Sequence, residues 1–205
     1  MLSIKLLDTE QEISKKINSA TAEHFNSTLN GKLPSIKQQV KSFAYNAILS
    51  QPEIDSLSGG ILQGAFGLVD SSSAIDAVIT GIQNSINVQF NKFDKNLKGG
   101  INIYIQPSDF TNLLALPEAT NFTDDGDFPW LEWLITLGDT IIIVDYSFNP
   151  INGRGRSNLG YMTSGGVFRV PPEFAGDINN NFITRALVGK QQEKVIQNIL
   201  MKAIQ

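Results

Sequence analysis

The chain has 205 residues, no cysteine, one histidine, 41% hydrophobic and 18% charged residues, and a formal net charge of −4. Without thiols, disulfide frameworks, cysteine nucleophiles and thiolate metal sites are excluded. The acidic balance excludes a nucleic-acid binder that relies on a general basic field. A globular chain of this length forms one sizeable core and buries roughly 70% of its unfolded surface. The charge falls short of the usual ~25% and is replaced by Asn, Gln, Ser and Thr, a surface suited to a subunit packed against neighbours. The longest apolar run, around Ile141–Val144, is far below the ~20 residues of a membrane span. The first eight residues lack the apolar stretch of a signal peptide.

In chain order, Ile13, Ile17, Ala20 and His24 fall on one stripe and predict a helix from about Thr9 to Leu29, ended by Gly31 and Pro34. Ser35 with Gln38 reads as the start of a second helix carrying Ile36, Val40, Phe43, Ala44 and Ala47, with Pro52 at its end or in a brief turn. The glycine-rich passage Ile61–Val69 reads as a loop or short strand. Asp70-Ser-Ser-Ser73 introduces a third helix whose Ile75, Val78, Ile79, Ile82 and Ile86 have the spacing of a buried face. Val88–Phe93 and Ile101–Gln106 alternate around a polar turn and predict an antiparallel hairpin.

Ser108 is placed as the cap of a short helix, Asp109–Leu116, and Asn121–Phe128 as a polar turn. Pro129–Gly138 reads as an aromatic helix stopped by glycine. Thr140–Phe148, apolar on both faces at its start, reads as a buried central strand. Asn149–Gly166 then reads as a long polar loop, and Val167–Val170 as a returning strand closed by Pro171-Pro172. Asn179–Val188 is predicted helical, Gly189 a break, and Gln191–Ile204 a helix with Val195, Ile199, Leu200 and Ile204 on its stripe. The expected fold class is α+β in one domain: a helical N-terminal extension (1–58), a sheet-containing core (59–189) and a C-terminal helix (190–205). The hairpin and the two later strands are expected in one antiparallel or mixed sheet packed by the Ile75–Ile86 helix.

Chemistry-bearing side chains are sparse. His24, alone on a helix, supplies neither a paired acid–base nor a multi-histidine metal site, and no Gly-x-Ser-x-Gly marks a serine nucleophile. Asp124-Asp-Gly-Asp127 is the densest acidic cluster, but it lacks the ligand spacing of a calcium loop and reads as a solvated turn. Asp139 and Asp145 flank the apolar strand. With Glu132 they are the candidates for a small hydrolase, while pairing with Arg156 or Arg169 is the competing use. Gly153-Arg-Gly-Arg-Ser-Asn-Leu-Gly160 lacks the Walker lysine and the strand–helix setting of a dinucleotide fingerprint. Glycines and arginines in a long loop read instead as a partner-contact surface, with phosphate contact or an inert loop as the alternatives. Trp130 and Trp133, beside Leu131, Leu134 and Leu137, read as a core staple, with a ligand platform as the alternative.

Trp130-Leu-Glu-Trp-Leu, the strand Ile141–Tyr146, Arg156-Ser157, Arg169-Val-Pro-Pro-Glu-Phe-Ala-Gly176 and Asn180-Asn-Phe-Ile-Thr-Arg-Ala-Leu187 together resemble virion structural proteins of contractile-tailed bacteriophages. The likeness is to the head–tail region: neck, tail terminator or tail completion proteins. It covers the last third clearly and Phe66–Ile105 more loosely. It implies a non-enzymatic structural protein without cofactor or metal, forming a homo-oligomeric ring with other virion proteins, assembled in the host cytoplasm and carried in the virion. No membrane contact is implied, and DNA would lie near, in a lumen, without specific binding. Arg154, Arg156, Arg169 and Arg185 are the expected intersubunit contacts.

Overall fold

The computed structural model describes residues 8–123 and 126–204. It is an α+β structure in which helices supply most of the core and three small hairpins are fastened around them. The chain runs through α1 (Glu10–Leu49), α2 (Pro52–Leu57), α3 (Ile61–Ala65), α4 (Ser71–Ser85), β1 (Asn87–Asn91), β2 (Gly100–Tyr104), α5 (Thr111–Leu114), β3 (Asn121–Thr123), β4 (Gly126–Phe128), α6 (Trp130–Ile135), β5 (Ile143–Asn149), β6 (Tyr161–Phe168), α7 (Phe182–Leu187) and α8 (Lys190–Ile204).

The two N-terminal helices expected from Gly31 and Pro34 are one helix of 40 residues, about 60 Å long at 1.5 Å per residue. It opens with a capping box: Thr9 Oγ1 accepts from Glu12 N at 3.3 Å while Thr9 N donates to Glu12 Oε2 at 2.8 Å. The helix continues because its apolar stripe stays in phase across the break. Leu29, Ile36, Val40, Ala44 and Ile48 are all buried, whereas Gly31 and Pro34 lie on the exposed side. The Asn30 carbonyl, which Pro34 has no N–H to serve, therefore lies on the exposed side, open to solvent. Ile17, assigned to a packed stripe, is exposed, as is His24. A Cβ at Gly31 would meet nothing within 4 Å. Gly31→Ala should therefore stabilise the helix by about 1 kcal/mol, raising the melting temperature by roughly 2–4 °C in a thermal denaturation.

The second half of α1 joins α4, α6 and α7 in a single apolar cluster that also takes in Leu57, Phe66, Phe110 and Phe168. The Ile75–Ile86 face is buried as its spacing predicts, and Asp70 caps α4 by accepting from Ser73 N at 3.0 Å. Trp130 is fully buried, and its indole N–H donates to Glu118 O at 2.7 Å. Trp133 is half-buried against the same cluster. The core reading of both tryptophans holds. Of the passage placed as loop or strand, Ile61–Ala65 forms α3 and only Phe66–Val69 is loop, and Pro52 starts α2 rather than a turn. The helix expected from Asp109 to Leu116 is the single turn α5, preceded by Phe110 in the left-handed region, with a 3₁₀ turn at Pro117–Ala119.

The predicted Val88–Phe93 and Ile101–Gln106 hairpin is present as β1–β2, with Val88 opposite Ile103 and Phe90 opposite Ile101. Asp94 closes its turn by accepting from Asn96 N at 2.8 Å and Lys98 N at 2.9 Å, and these bonds hold its carboxyl below the usual range. Asn26 of α1 fastens the hairpin by accepting from Phe93 N and donating to Phe93 O. The expected single sheet does not form. β1–β2, β3–β4 and β5–β6 are three separate antiparallel pairs, because helices rather than strands lie between them. Asp124 and Asp125 of the acidic cluster lie outside the described residues. In α8, Val195 is exposed while Ile199 and Leu200 are half-buried; the Ile204 side chain lies outside the described residues.

Candidate interaction surface

The region from Thr140 to Val170 departs most from its sequence reading. The start of β5 and the residues leading into it are exposed rather than central: Ile141 is 49% exposed, Val144 63%, and Ile143 and Tyr146 are also open. The returning strand is twice the expected length, Tyr161–Phe168, so the long loop shrinks to residues 150–160. Gly165-Gly166 hid this strand, since glycine carries little strand preference. The pairing sets Val144 opposite Val167 and Tyr146 opposite Ser164. One residue of β5, Asp145, thus faces two of β6, Gly165 and Gly166.

Asp145 takes φ +65 at this bulge, and the two glycines take +94 and +87. Left-handed backbone is tolerated by Asp and Gly and disfavoured by branched side chains. Asp145→Val is expected to cost about 1–2 kcal/mol in urea unfolding, whereas Asp145→Gly should leave stability unchanged or slightly higher.

Both ends of the hairpin are pinned. At the base, Ile142 N donates to Phe168 O at 2.8 Å, Val170 is fully buried, and the Phe168 ring centroid lies 6.4 Å from that of Phe128. At the tip, Phe148 and Leu159 press on α3, where a Cβ on the buried Gly64 would come 2.7 Å from Phe148 Cζ and 3.0 Å from Leu159 O. The loop is folded on itself, not extended: Gly153 N donates to Asn158 O at 2.8 Å and Gly160 N to Arg154 O at 3.0 Å. What remains open is the half of the hairpin next to its base, where Ile143, Val144 and Val167 are exposed. No third strand pairs with either edge among the described residues.

The four arginines are not gathered. Arg154 stacks over Tyr161 with Cζ 5.3 Å from the ring centroid. Arg156 is exposed in the loop and has no carboxylate partner among the described residues. Arg169, just after β6, pairs with Asp139, just before β5, at 3.2 Å on the surface. Arg185, on α7, is spent inside the chain, donating from Nη2 to Oε1 of the fully buried Glu53 of α2. That ion pair has no signal in the sequence, because its members stand 132 residues apart.

The three carboxylates of the hydrolase reading are also dispersed. Asp139 is engaged by Arg169, Asp145 stands exposed at the bulge, and Glu132 is half-buried on α6. No hydrogen bond joins any two of them, and no group of three or more His, Cys, Asp or Glu side chains is placed to hold a metal ion among the described residues. No described helix is long and apolar enough to cross a membrane. A cleft of about 560 Å³ lies between the end of β2 and α7; Ile105, Phe110, Ile183 and Leu187 line it, with Arg185 at its side. Comparison with protein-family models, curated proteins and solved structures finds no match to the chain.

Proposed function

We propose that the chain is a virion structural subunit of a tailed bacteriophage, a neck, tail terminator or tail completion protein that forms a ring at the head–tail junction. The observation that carries this reading is the β5–β6 hairpin. Apolar side chains in its base half stay exposed, both edges are unpaired among the described residues, and both ends are locked to the core. A flexible loop could fold over such residues; a strand pinned at both ends cannot. Exposed, contiguous, rigid apolar surface marks a place where another protein sits.

The stretch that resembles head–tail proteins, Pro129–Leu187, is also the stretch that builds the hairpin and its base. The low surface charge fits a subunit surrounded by neighbours, and the acidic balance fits a lumen through which DNA passes without adhering. In this reading the protein works by contact alone, with no cofactor and no membrane, and is assembled in the host cytoplasm into the virion.

Sedimentation of the purified native chain across a wide concentration range, with negative-stain imaging, tests the proposal. Discrete rings of a single size are expected. A monomer at every concentration, with no closed particle in the images, would overturn it.

A further inference from the structure

We infer that β5 of one copy pairs with β6 of the next, so that successive hairpins build one continuous antiparallel sheet around the ring; this rests on the ring-subunit reading above. The occupant of the open edge is thus a second copy of this chain. The two edges run over seven and eight residues, roughly 23–27 Å of unpaired backbone each. Isolated two-stranded sheets are marginal in water, and added strands satisfy the outward backbone groups while covering the aliphatic side chains.

Charge selects between the possible partners. The β5 side carries Asp139 and Asp145; the β6 side carries Arg169, with Arg154 and Arg156 in the loop leading into it. A symmetric β5–β5 contact centred on Asp145 would set Asp145 directly opposite Asp145 of the other copy, and like charges directly opposite are unfavourable. A β5–β6 contact sets an acidic edge against a basic one, with each Arg169 between its own Asp139 and that of the neighbour. Such a contact is heterologous: it closes by rotation into a ring, while the symmetric one stops at a dimer. The bulge at Asp145 with Gly165-Gly166 bends the strands, which favours closure over a flat, open ribbon.

The chain has no cysteine, so introduced thiols report geometry without background. Val144→Cys and Val167→Cys are prepared as separate proteins and treated with a short bismaleimide. The mixture is expected to give cross-linked dimer, and neither protein alone should. Separately, Val144→Lys should cut the ring population by about tenfold or more without lowering the melting temperature, while the same exchange at the exposed Val69 leaves rings intact. Cross-linking of the Val144→Cys protein by itself, or rings undiminished by Val144→Lys, would overturn the edge pairing and leave the ring reading standing. A native chain that remains monomeric overturns both.

Discussion

Replacing Arg185 by alanine is expected to destabilise the chain by about 3 kcal/mol, lowering the melting temperature by roughly 6–12 °C. Glu53 is fully buried on α2, and among the described residues the Arg185 guanidinium is its only counter-charge and Glu53 Oε2 has no hydrogen-bond partner. Removing the arginine strands a carboxylate in the core, and the cost of breaking a buried ion pair in this way runs to about 3–5 kcal/mol. The lower end applies because the Arg185 side chain is still 39% exposed, so water screens part of the interaction. Glu53→Gln should cost less, because a neutral amide needs no counter-ion. Adding it to Arg185→Ala should restore most of the loss in thermal or urea unfolding. A single-variant loss under about 1 kcal/mol, as for a surface pair, would instead free Arg185 for contact with another chain.

How much of this was legible in the sequence depended on the range of the cause. Where one element decides the outcome, periodicity was enough. The isoleucine spacing of α4 and the alternation of β1–β2 translate directly into the buried faces seen. At Gly31 and Pro34 two signals conflicted: local breakers argued for a stop, while the stripe from Leu29 to Ile36 and Val40 kept its phase. Phase prevailed because burial of that stripe outweighs one lost hydrogen bond on the solvent side.

The apolar run around Ile141–Val144 misled for a different reason. Strand apolarity records that side chains are covered, and it does not say by which chain. Covered within one chain, such a strand is central; here Ile143 and Val144 are exposed in the chain taken alone, as the proposed pairing with a second copy requires. The glycines carried the least readable information. Gly64 and Gly160 lie far apart in the sequence, yet each is small because the other's surroundings press on it, with Phe148 between them. Likewise the arginines were expected at intersubunit contacts, but nothing in their spacing separates Arg185, which meets a carboxylate of its own chain, from Arg156, which faces solvent.

The second large effect is expected at Gly160. It is buried at the tip of the hairpin with φ +154, and a Cβ there would come 2.6 Å from Asn149 O as well as running into the Phe148 ring. Gly160→Val therefore meets both backbone strain and an occupied volume, together about 2–4 kcal/mol. The loss should be local, since the base of the hairpin is held independently by Val170 and by Phe168 beside Phe128. Hydrogen exchange should accelerate across residues 148–163 and stay slow in α4 and α7. Ring formation should fall even though every exposed side chain of the hairpin is retained. This contrasts with Val144→Lys, which alters the surface and leaves the hairpin anchored. If Gly160→Val loosens the tip and rings persist, the stiffness of the hairpin is irrelevant to association and its apolar chemistry alone suffices. If rings vanish in both variants, association requires the strand to be apolar and to be held at both ends.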